Sequence, residues 1–196
     1  MRNESGYSLV ELLVTMVILS VVIGGLTTVF ISGSSAQVRL NERFVAQQNA
    51  RSALDRLRVD IHCAKAAQAQ TINTYPGIKL DESPCYASNS TISYCVVQFT
   101  SSPIRYQLFR STGTGSTDCT SSDTARVLIA DYLTSSSVFT TAAIPQYSLQ
   151  TVGIDLKVGA DSASTTKNAY ELTDAIVARN STRCTAGSTC AVTSVP

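Results

Sequence analysis

The chain has 196 residues, room for one domain plus an extended element. Charged residues make up 15% of it, against about 25% in an average soluble domain, and 15 Lys and Arg balance 14 Asp and Glu to leave +1. That balance argues against a nucleic-acid binder working through bulk positive charge, and the single His argues against a His-rich metal centre. Six Cys in a Ser- and Thr-rich sequence point to disulfides made in an oxidising compartment. The composition reads as exported, lightly charged and without an enzyme signature.

The first six residues, MRNESG, are polar, and the sequence then turns apolar. No charge occurs from residue 12 to residue 38. The stretch 12–31 is almost wholly Val, Leu, Ile, Thr and Gly, and its twenty residues as a helix cover about 30 Å, the thickness of a bilayer core. Glu11 sits at the edge of this run, where a carboxylate beside hydrocarbon costs a few kcal/mol without a partner. A secretory signal peptide would offer Ser34-Ser35-Ala36 as its cut, but the apolar run is longer than the usual ~7–15 residues. A plain anchor has no use for Glu11.

Gly6, then Tyr7-Ser8-Leu9-Val10-Glu11 and an apolar helix, resembles the class III signal of type IV prepilins and pseudopilins. The resemblance implies cleavage between Gly6 and Tyr7 by a membrane prepilin peptidase, followed by N-methylation of the new Tyr7 amine. Family members most often carry Phe where this chain has Tyr7. It also gives Glu11 a purpose. In a bundle of such helices the carboxylate can pair with the Tyr7 amine of a neighbour, and a desolvated pair that is penalised when half-made selects one axial register.

Gly24-Gly25 and residues 32–35 are places where the helix is expected to kink or loosen. Residues 36–69 then carry helix formers with no Pro or Gly, and Pro76-Gly77 is expected to break the helix. Leu40, Phe44, Ala50, Leu54, Leu57 and Ile61 lie near one face, an apolar stripe that calls for a covering sheet. Beyond residue 76 the period becomes two. Residues 92–99 and 104–110 read as a hairpin, residues 127–133 and 137–140 as short strands, and residues 151–158 as a clean alternation. Residues 170–179 read as a last strand whose broken alternation suggests a bulge. The expected fold class is α+β, a pilin-like long N-terminal helix packed on an antiparallel β-sheet domain.

Residues 50–61 (ARSALDRLRVDI) resemble the helix end of J-type minor pseudopilins and W-type minor pilins. The segments Tyr106-Gln107-Leu108-Phe109-Arg110, Leu128-Ile129-Ala130-Asp131 and Ala178-Arg179-Asn180 resemble later strands of the same subunits.

Cys63, Cys85, Cys95, Cys119, Cys184 and Cys190 contain no CxxC, so neither a zinc knuckle nor a thioredoxin-like pair is signalled. Fifteen connectivities are open to six Cys. Proximity favours Cys184–Cys190 and Cys85–Cys95, which leaves Cys63 at the helix end to meet Cys119. His62 next to Cys63 does not make a nucleophile pair, since adjacent helix residues point about 100° apart. Asp81-Glu82 and Asp155 with Asp161 lack the spacing of a calcium loop, and the sequons at Asn89 and Asn180 are common by chance.

The expected organisation is a leader at 1–6, a membrane and filament-core helix at 7–38, an amphipathic helix at 39–70 and a disulfide-stapled β domain at 71–196. The expected protein is a single-pass subunit of the cytoplasmic (inner) membrane, its C-terminal domain outside the cytoplasm. It is expected to act as a minor pilin or pseudopilin, with the prepilin peptidase, the membrane and other pilin subunits as partners. No catalytic residue, metal, cofactor or nucleic-acid site is expected. The alternatives are a major pilin, or a membrane-tethered binding protein or enzyme.

Overall fold

The computed structural model describes residues 8–81, 91–113, 119, 125–141, 149–160, 169–179 and 181. The chain forms two compact units, Met1–Asn41 and Glu42–Pro196. One helix, α1 (Leu9–Cys63), begins in the first and ends in the second.

Every described residue of the first unit is exposed. No part of its apolar stretch is buried. A helix that is apolar all round needs hydrocarbon or other helices about it. Its hydroxyls are already satisfied. Thr15 donates to the Leu12 carbonyl at 2.9 Å, Ser20 to Val17 at 2.8 Å, Thr27 to Ile23 at 2.8 Å and Thr28 to Gly25 at 2.7 Å. These backward bonds let polar side chains sit where no water is available. Neither Gly24-Gly25 nor residues 32–35 interrupt α1.

In the second unit α1 buries Ala46, Ala50, Ala53, Leu54, Leu57, Asp60 and Ile61 against a sheet. The expected stripe holds from Ala50 to Ile61. Leu40 and Phe44 do not belong to it and are 67% and 56% exposed; the small Ala46 and Ala53 let the sheet approach the helix instead. Complete burial of Leu57 and Ile61 contributes about 1.5–3 kcal/mol each.

The helix ends at Cys63, not at residue 70 as the run of helix formers suggested. Ala64 N–H donates back to the Ile61 carbonyl and Lys65 N–H to the Asp81 carbonyl, both at 3.2 Å, which turns the chain into a hairpin. Its strands are β1 (Ala66–Ile72) and β2 (Tyr75–Asp81), joined by Asn73 and Thr74 at φ 45° and 76°. Pro76 therefore lies inside a strand opposite Thr71, and Gly77 follows it because a Cβ there would strike the Tyr94 carbonyl.

The remaining strands are β3 (Thr91–Ser101), β4 (Ile104–Gly113), β5 (Val127–Leu133), β6 (Phe139–Thr141), β7 (Thr151–Val158) and β8 (Tyr170–Val177). All pairings are antiparallel, in the order β1-β2-β3-β4-β5-β7-β6, with β8 on the other side of β7. In β7, Val152, Ile154, Leu156 and Val158 are buried, as the alternation required. The bulge expected in the last strand is absent: β7 and β8 pair without a break, and the register shifts lie in β3–β4 at Gln98/Thr100 and in β4–β5.

The outer edge of β1 is closed by side chains. The buried Gln150 accepts from Ala67 N–H at 2.8 Å through Oε1 and donates to the Ala67 carbonyl through Nε2, so its amide stands in for a strand. Thr141 Oγ1 accepts from Ala69 N–H at 3.5 Å.

Candidate functional site

The site residues at the N-terminus divide. Gly6 and Tyr7 lie outside the described residues, while Glu11 is in the first turn of α1, exposed like all its neighbours. A carboxylate in a helix's first turn meets the positive end of the helix dipole. Among the described residues no cationic side chain pairs with Glu11. Beyond it runs an uninterrupted apolar cylinder, with Leu12 to Ile31 exposed throughout. Residues 1–27 match the family model for the prokaryotic N-terminal methylation motif. The chain carries the class III signal of type IV pilins and pseudopilins. That signal points to a pilin-like structural subunit. The match stops short of residues 50–180, which carry the likeness to J- and W-type subunits. No curated protein and no solved structure matches the chain.

The pilin-like architecture needs its helix fixed to its sheet, and Asp60 is the centre of that joint. Asp60 is fully buried. It accepts from the Tyr94 hydroxyl on β3 at 2.6 Å and from Arg110 Nε on β4 at 2.6 Å, while Arg56, one turn back on α1, stands at 3.9 Å. Burial first, then the Asp60 charge and hydrogen bond, push the Tyr94 phenol well above its ordinary value, so it stays a neutral donor. Three further polar ties flank the joint. Arg58 pairs with Asp174 at 2.9 Å, His62 Nδ1–H donates to the Val177 carbonyl at 2.8 Å, and Asn49 donates to the Asp131 carbonyl at 3.1 Å. His62 is thus a structural donor. The sequence did carry a signal for Asp60. It falls on the stripe of Ala46, Ala50, Ala53, Leu57 and Ile61, and a charge there has to be buried and bonded.

The expected disulfide pairing is corrected. Cys95 joins Cys119, with Cα atoms 6.2 Å apart, so neither Cys85–Cys95 nor Cys63–Cys119 exists. Cys63 is disulfide-bonded to a cysteine outside the described residues, where Cys85, Cys184 and Cys190 lie. Nearness in sequence misled here. Cys95 sits mid-strand between Gly77 and Phe109, and its side chain meets Ile72 and Cys119 in a small cluster apart from the main core.

Proposed function

We propose that the chain is a minor pilin or pseudopilin that helps to initiate or cap a type IV pilus, a type II secretion pseudopilus or a DNA-uptake pseudopilus. The precursor inserts in the cytoplasmic membrane with its β domain outside the cytoplasm. Prepilin peptidase removes residues 1–6, and the new Tyr7 amine is methylated. Assembly then lays the apolar helix among those of other subunits, and Glu11 pairs with a neighbour's Tyr7 amine. The observation that carries this reading is the lone Glu11 at the rim of an exposed, wholly apolar helix, five residues after Gly6. The J- and W-like segments favour a minor subunit.

The reading is tested by the N-terminus of membrane-extracted protein. Intact-mass measurement should find residues 1–6 missing, and Gly6→Val should leave the precursor uncut, because a side chain at the scissile position blocks the peptidase. A mature start at Gln37 would instead identify a secretory protein.

A further inference from the structure

We infer that the outer edge of β8 is a docking strand for an extended, acidic segment of another protein, which adds to the sheet there and places a carboxylate at Arg179.

The pairing of β7 with β8 fixes which backbone groups face outward. Ala178 N–H bonds the Gln150 carbonyl, so the even-numbered residues of β8 turn their backbone groups to β7 and the odd-numbered ones turn theirs away. Val177 follows this parity, since its carbonyl is taken by His62 of α1. Ala175 N–H is taken by the Asp174 carboxylate at 2.9 Å. The outward N–H and C=O of Glu171 and Thr173 have no partner among the described residues.

Elsewhere this sheet closes its edges. Strands β1 and β6 lie against one another, and Gln150 and Thr141 take up outward groups of Ala67 and Ala69. On β8 nothing comparable is built. The strand (YELTDAIV) holds its register with β7 throughout, with no Pro, Lys or bulge to turn a neighbour away. Such an edge is a template for strand addition, in which main-chain bonds supply affinity and side-chain pockets supply specificity.

A pocket lies at the end of the strand. Beside residues 174–177 is a cleft of about 410 Å³, with Leu149 and Ile176 as its apolar lining and Arg58, His62 and Arg179 as its basic one. Arg58 is matched by Asp174 at 2.9 Å and Asp55 at 3.6 Å. Arg179 is exposed and has no ion-pair partner among the described residues. An unmatched positive charge beside open main-chain groups selects an acidic strand. The chain's own residues 182–196 contain Arg183 and no acidic side chain, so they do not supply one. A second copy would offer Glu171 and Asp174 at its β8 edge, and these are already held by Lys157 at 3.0 Å and by Arg58.

Thr173→Pro tests the edge without touching the β7 ladder, because the N–H that it removes points outward. The probe is a fluorescein-labelled octapeptide of alternating Thr and Val, capped at both termini, with a pair of Glu at one end. Its anisotropy with the full chain in detergent micelles, read against empty micelles, should show saturable binding. Thr173→Pro should weaken that binding about tenfold, and Arg179→Glu should weaken it several-fold, as should Gln in place of the peptide's Glu. Arg179→Glu alters an exposed side chain, so it keeps the test decisive if Thr173→Pro fails to fold. No saturable binding by the parent, or equal binding by the parent and the variants, would overturn the inference. Binding that Thr173→Pro abolishes but that ignores Arg179 and the peptide's charge would overturn the acidic partner. A concentration-dependent dimer of the parent that Thr173→Pro dissolves would overturn it in favour of a second copy.

Discussion

Asp60 is a full charge held where no water reaches it, and its worth depends on both donors being present. Removing one member of a buried ionic cluster typically costs about 3–5 kcal/mol, because the charges left behind have lost their solvation as well. Asp60→Ala should therefore lower the midpoint of thermal unfolding by about 10 °C, taking roughly 2–4 °C per kcal/mol for a domain of this size. A loss of a degree or less would mean that the joint is not structural. Tyr94 gives the same cluster a pH signature. Its phenol ordinarily titrates at 10.0 and is raised in the folded protein. The stability it contributes is fully present below pH 10 and is lost as the pH rises from there toward the folded value. Alkaline unfolding should be shallower in Tyr94→Phe than in the parent, at a cost of about 1 kcal/mol at neutral pH for the lost hydrogen bond. Parallel alkaline curves would remove Tyr94 from the linkage.

The hairpin of β1 and β2 depends on one close approach. A Cβ on Gly77 meets the Tyr94 carbonyl, a backbone atom that cannot move without breaking the β2–β3 ladder, whereas a Cβ on Gly153 meets the Thr140 hydroxyl, which can rotate away. Gly77→Ala is expected to cost more than about 2 kcal/mol and Gly153→Ala less, measured by denaturant midpoints at equal slope. Equal costs would show that the sheet yields at Gly77. The Cys95–Cys119 bond spans 24 residues, and replacing both with Ser should remove about 3 kcal/mol in the chain-entropy model. These elements differ in how far they could be read from sequence. The strands β3, β4, β5 and β7 are placed to within three residues at either end. By contrast, β1 is AAQAQTI, whose Ala and Gln favour helix, and it becomes a strand through tertiary contacts. Its Ala67 is fully buried and bonded by the Gln150 amide, a partner 83 residues away. Asp60 was hidden likewise: its position on the stripe was visible, but its partners Tyr94 and Arg110 come from strands whose register no local pattern reveals.

At the scale of the whole molecule, the protein joins a β domain rich in buried bonds to a helix whose first unit buries nothing of its own. An exposed apolar helix of this kind calls for hydrocarbon or other helices about it. Glu11 distinguishes the two surroundings. For a chain that merely resides in a membrane, Glu11→Ala removes a costly group at the edge of hydrocarbon and should be neutral or favourable for membrane residence. For a subunit that docks, the same change takes the counter-charge from a neighbour's N-terminal amine in a low-dielectric setting, a loss of several kcal/mol when one side of a buried pair is removed. Glu11→Ala should therefore be processed and inserted like the parent but fail to co-purify with other pilin subunits from the same membrane fraction. Glu11→Gln should fail as well, since an amide keeps the shape of the carboxylate without its charge, and Glu11→Asp should recover part of the association. Undiminished co-purification of the Ala variant would show that the acid does not set register, and the helix would then have to associate through its apolar surface alone.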